Sequence, residues 1–102
     1  MDIAKSINGV PIRITYERWF HIIENHDDLA GRFSEILNTV EYPDYVVKGY
    51  EDALIALKEL EIEKYLAVVY KELNIDDGFV ITAYITSKIK IERQVILCKR
   101  QT

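Results

Sequence analysis

A chain of 102 residues and 11.9 kDa has room for one hydrophobic core, so residues 1–102 read as a single domain. With 49% hydrophobic and 29% charged residues, four Gly and two Pro, it has the balance of a soluble globular protein and not of a disordered linker. The net charge of −4, the single Cys and the lack of any apolar run near the roughly 20 residues of a membrane span argue against a non-specific nucleic-acid binder, a disulfide framework, a multi-Cys zinc site and a membrane protein.

The first ten residues, MDIAKSINGV, lack the apolar core of a signal peptide, so the expected compartment is the cytoplasm. Asn8-Gly9 signals a two-residue turn, because both residues tolerate positive φ. It would join strands at Ile3 to Ile7 and Val10 to Ile14, a hairpin over 3–14. Pro11 cannot donate to a ladder and favours an edge position. Thr15 is a candidate helix N-cap, with Glu17 near the positive helix end. Tyr16, Trp19, Phe20 and Ile23 then recur at helical spacing, predicting a helix over about 15–25. A second helix is expected over about 28–40, capped by Asp27, with Leu29, Phe33, Ile36, Leu37 and Val40 as its apolar stripe. Tyr42-Pro43-Asp44 ends it.

From Tyr45 the pattern turns to β. Tyr45 to Lys48, Tyr65 to Leu73 and Phe79 to Thr86 read as strands, with a turn at Asn74 to Gly78. Ala53 to Leu60 fits a helix by spacing but is bracketed by strands with short connections, which favours a strand. The expected fold is α+β: N-terminal helices packed on an antiparallel sheet of about four strands over about 45–97, preceded by the short hairpin.

In the strand Phe79 to Thr86, alternation places Phe79, Ile81, Ala83 and Ile85 on one face, toward the helices. Thr82, Tyr84 and Thr86 then share the other face with Val80, as three hydroxyls roughly 6.5–7 Å apart. Such a row suits phosphate oxygens or a flipped base, although Thr and Tyr also occur on any half-solvated strand face. Residues 1–87 carry eight basic and sixteen acidic side chains, whereas Lys88, Lys90, Arg93, Lys99 and Arg100 face only Glu92 in 88–102. His21 is expected on the polar face of the first helix. His26 is expected beside its apolar edge, at the C-terminal end that favours an imidazolium. Five residues apart, the two do not form an i, i+4 metal pair. No GxGxxG or Walker-type GK[ST] is present, and no carboxylate pair stands out, so no cofactor and no metal are expected. Cys98 lies in an apolar run and reads as a small core residue.

Several segments in order carry a resemblance. They are Trp19-Phe20-His21-Ile22 with His26, then Tyr42-Pro43-Asp44, then Lys64-Tyr65-Leu66-Ala67-Val68-Val69. Phe79-Val80-Ile81-Thr82-Ala83-Tyr84-Ile85-Thr86 and Lys88-Ile89-Lys90 follow. Over about residues 12–97 this order resembles small phage and bacterial polymorphic-toxin domains of the barnase–EndoU–colicin–RelE class of metal-independent ribonucleases. The chain departs from that pattern after Lys90, where Ile91-Glu92-Arg93 stands in place of Gly and an aromatic residue. The resemblance implies one or two helices followed by a four-stranded antiparallel sheet. It implies endoribonuclease activity by attack of a ribose 2′-hydroxyl on the adjacent phosphate. Carried over, His26, His21 and Thr82 are the catalytic candidates, and Tyr84, Thr86, Lys88 and Lys90 the substrate-binding ones. The expected partners are RNA and a cognate inhibitor or antitoxin protein. The competing expectations are a non-catalytic RNA- or protein-binding module on the same fold, and a structural domain of a mobile element.

Overall fold

The computed structural model describes residues 2–99; Arg100 of the basic C-terminal segment lies outside them. The element order is β1 (Asp2–Lys5), β2 (Pro11–Ile14), α1 (Tyr16–Asn25), α2 (Phe33–Glu41), β3 (Tyr45–Lys48), β4 (Leu54–Glu61), β5 (Lys64–Asn74), β6 (Asp77–Thr86) and β7 (Ile96–Lys99). The α+β class is therefore as expected. The sheet is not. Among the described residues seven strands form one mixed sheet in the order β1-β2-β6-β5-β4-β3-β7. The hairpin does not precede the sheet but joins it, because β2 pairs in parallel with β6 through Ile12↔Gly78 and Arg13↔Phe79. The last strand, β7, adds antiparallel to β3.

The hairpin turn also differs from the two-residue form. Gly9 N donates to Ser6 O and Ser6 N to Val10 O, and Gly9 at φ 78° has positive φ whereas Asn8 does not. This matches a three-residue loop closed by a left-handed glycine. Pro11 begins β2 ahead of the β6 pairing, where its missing N–H breaks no bond to that strand.

Thr15 caps α1 as expected: its Oγ1 accepts from Arg18 N at 3.0 Å. The helix stops at His26, whose N–H donates to Ile22 O. The second helix starts later than the apolar stripe suggests. Asp27–Leu29 form a single 3₁₀ turn, Gly31 takes φ 84°, and α2 begins at Phe33 with no side-chain cap. Asp27 is therefore not its cap. After α2, Asp44 N donates to Leu57 O and Asp44 Oδ2 accepts from Glu59 N, fixing the entry to β3. Residues 54–61 form a strand, and among the described residues no helix is long and apolar enough to cross a membrane.

Two cores flank the sheet. Ile12, Ile14, Leu66, Val68, Tyr70, Val80 and Ala83 meet Ile22, Leu29, Ile36 and Val40 on the helix side. On the opposite side Val47, Leu57, Tyr65 and Ala67 cluster with Tyr45, Ile55, Tyr84, Ile89 and Ile91. Residues 87–95 thus cross this second face on their way from β6 to β7. In that strap Ile89 and Ile91 turn inward while Lys88 and Lys90 stay exposed. Cys98 is half-buried on the edge strand beside exposed Ile96 and Leu97, and is not the core residue expected of it.

Candidate functional site

The register of β6 decides which side chains share a face. Val69 faces Thr82 and Tyr70 faces Val80, so Ile81 is an extra residue in β6. This bulge resets the alternation. Val80, Ala83 and Ile85 lie on the helix side, and Phe79, Thr82, Tyr84 and Thr86 are cross-strand partners of Lys71, Val69, Ala67 and Tyr65 on the other. The hydroxyl row therefore exists, but Phe79 belongs with it and Val80 does not.

Beyond Phe79 the β2 pairing ends, and α1 takes over along that edge of β6. The start of α1 lies by Phe79 and Val80, where Arg13, Thr15 and Arg18 line a depression of about 180 Å³. Its end lies by Tyr84, where the His26 ring stands 6.2 Å from the tyrosine ring. From Thr15 to His26 a helix advances about 16 Å; from Phe79 to Tyr84 the bulged strand spans only the four partner steps from Lys71 to Ala67 and advances about 13 Å. The two elements run side by side, and the seam between them has a basic end and a histidine end.

His26 is half-buried at the helix terminus, and Thr82, Tyr84 and Thr86 are half-buried on the strand. Burial pushes the Tyr84 phenol above its ordinary value, so it stays protonated at neutral pH. Its ring is not at the floor of an open groove: it belongs to the apolar cluster with Ile89 and Ile91. Thr86 Oγ1 accepts from Lys88 N at 3.0 Å, which starts the turn into the strap. The Lys88 and Lys90 side chains are exposed there.

His21 does not join this group. Its side chain is exposed on the outer face of α1, with Nδ1 3.9 Å from Glu24 Oε2. It lines a second surface depression of about 410 Å³ with Thr15, Glu17, Arg18 and Asn25. Five helical residues turn a side chain about 140° away, which is why the structure separates the two histidines. Among the described residues no three metal-ligating side chains converge.

Sequence reasoning passed over Arg13, Arg18, Lys71 and Phe79. The signal for Arg13 was available, since it alternates with Ile12 and Ile14. Its guanidinium lies over the Phe79 ring, 5.9 Å from the centroid, and pairs with Asp77. Phe79 was assigned to the wrong face because nothing local marks the bulge at Ile81. Comparison of the chain with family models, curated proteins and solved structures found no match in any of the three.

Proposed function

We propose that the chain is a metal-independent endoribonuclease domain whose reaction centre is the His26 end of the α1–β6 seam. The observation that carries this reading is the approach of the His26 ring to Tyr84, on the strand that also bears Thr82 and Thr86. In this reaction the imidazole of His26 takes the proton of a ribose 2′-hydroxyl. The 2′-oxygen attacks the adjacent phosphorus, and the bond to the 5′-oxygen breaks. The Tyr84 phenol, kept neutral by burial, donates a proton to the leaving oxygen. Thr82 and Lys88 stabilise the extra charge on the phosphorane. Lys90 adds long-range attraction for the strand. His21 has no role at the reaction centre.

The test is cleavage of a transcript by purified protein in EDTA, with the 2′,3′-cyclic phosphate product identified. His26→Ala is expected to lower kcat by about 10²-fold or more, and Thr82→Ala to lower it less. Absence of cleavage by folded wild-type protein would sink the reading. One observation favours a non-catalytic RNA-binding module instead: Tyr84 is packed under Ile89 and Ile91. Binding without cleavage would decide for that second reading.

A further inference from the structure

The far end of the same seam has features the reaction does not use. Four residues stand in one row across four strands on the face away from the helices. Lys71 on β5 faces Phe79 on β6, Phe79 is in register with Arg13 on β2, and Arg13 faces Ile3 on β1. An aromatic ring thus sits between two cations. Arg18 completes the surroundings from the first turn of α1, on the wall of the depression floored by Phe79 and Val80. Among the described residues Arg18 and Lys71 are in no ion pair, whereas Arg13 is held by Asp77. The depression adjoins the one lined by His21, sharing Thr15 and Arg18 with it. Glu17 lines the second depression, Glu24 stands 3.9 Å from His21 Nδ1 and Asp77 pairs with Arg13, which leaves Arg18 and Lys71 as the cations open to phosphate.

We infer that the strip from Lys71 and Phe79 over Arg13 and Arg18 to His21 is a binding track for single-stranded RNA. Phe79, with the Arg13 guanidinium 5.9 Å from its ring centroid, forms the base platform, and Arg18 holds the phosphates. Sequence-tolerant binding of single strands combines cations that follow the backbone with aromatic faces for the bases. Both are present here, gathered on one strip of a chain whose residues 1–87 are acidic as a whole. The track rests on the proposal that RNA is the ligand. It adds an anchor about 12–13 Å from the His26–Tyr84 pair, so a strand held there is presented lengthwise to the reaction centre.

The experiment uses two probes on the full chain. A fluorescent single-stranded RNA with 2′-O-methyl at every position reports binding alone, and the unmodified strand reports cleavage. Arg18→Glu is expected to weaken binding about tenfold or more and to flatten its salt dependence by about 0.7 for each phosphate no longer held. Phe79→Leu keeps an apolar side chain without a π face, and should weaken binding roughly 5- to 100-fold. Both should raise KM with kcat kept, unlike His26→Ala. Lys48→Glu, the same charge change on distant β3, should leave binding unchanged. Wild-type binding of the methylated strand by both variants, with cleavage intact, overturns the track and leaves the ribonuclease reading standing. Loss of binding in both variants, in a protein that never cleaves the unmodified strand, supports the track and overturns the ribonuclease. A wild-type protein that binds neither strand overturns both.

Discussion

The ring of His26 stands 6.2 Å from the ring of Tyr84 at an interplanar angle of 41°. The two meet because α1 begins where the β2–β6 pairing ends and runs the length of the edge left uncovered. His26 is also the C-cap of the helix, so its backbone position is fixed by the bond to Ile22 O. Tyr84→Phe separates packing from chemistry at this contact. It keeps the ring and its cluster and removes one hydroxyl. The melting temperature should stay close to wild type, while cleavage falls by about tenfold or more if the phenol protonates the leaving oxygen. Unchanged cleavage would remove Tyr84 from the reaction.

Three tyrosines link stability to alkaline pH. Burial raises the phenols of Tyr65, Tyr70 and Tyr84 above their ordinary value of 10.0, with the charges of Glu59 near Tyr65 and Glu72 near Tyr70 adding to it. In each case the folded state holds the proton more tightly than the unfolded one. The stabilisation is complete below pH 10 and is lost as pH rises through the folded values. Denaturant midpoints should therefore hold between neutrality and pH 9 and fall steeply above 10. A Tyr70→Phe protein should show a shallower fall, and an identical slope would contradict the linkage.

Much of this architecture is legible in the residues, and the parts that are not have a common cause. Thr15 marks the start of α1 because a cap acts within three residues. The strand at 54–61 is recovered from its neighbours, although Ala53, Ala56, Leu57 and Leu60 also fit a helix. The bulge at Ile81, the parallel join of Ile12 to Gly78 and the attachment of β7 depend on partners far along the chain. Local periodicity carries no information on those pairings. The site divides in the same way. His26 and the hydroxyl strand are visible as motifs, whereas Arg18 next to Phe79 is a product of topology.

The hydroxyl of Tyr70 gives a stability prediction of unusual sign. The side chain is fully buried on the helix side, and its oxygen has no hydrogen-bond partner among the described residues. An unpaired buried hydroxyl costs about 1–3 kcal/mol. Tyr70→Phe removes it while keeping the ring, so the chain should unfold at equal or higher denaturant. A clear loss of stability would show that the hydroxyl has a partner, such as a buried water.

The tight turns hold backbone strain that can be relieved. Glu51 and Asp52 both take positive φ between β3 and β4, and Glu63 takes φ 60° between β4 and β5. A non-glycine residue there is disfavoured by about 1–2 kcal/mol, and a two-residue hairpin with two positive φ angles prefers Asn-Gly. The double change Glu51→Asn with Asp52→Gly should raise the melting temperature by several degrees, at about 4–8 °C per kcal/mol for a domain near this size. Glu63→Gly should add to it, since the two turns lie at separate connections of the sheet. Lower melting of either variant would mean that the carboxylates themselves stabilise these turns.

Gly78 is where the hairpin is joined to the sheet, and it tolerates no side chain. A Cβ there would lie 2.5 Å from Ile12 Cδ1 and 2.6 Å from Lys71 O. The first obstacle is the end of a side chain and can swing away. The second is backbone of β5, which pairs with β6 at this point through Lys71↔Phe79 and Glu72↔Gly78 and cannot swing away as a side-chain end can. Gly78→Ala must therefore push β6 from β5 or β2 from β6, at a cost of about 1–3 kcal/mol. The melting temperature should drop by about 5–20 °C. Ile12→Val in the same chain distinguishes the two obstacles. If the carbonyl dominates, shortening Ile12 restores little of the loss, and the two changes are nearly additive. If the side chain dominates, the double variant recovers most of it. Gly78→Ala melting like wild type would mean that the parallel join is looser than its register implies. Arg13 and Phe79, one residue further along the same register, would then not be held face to face.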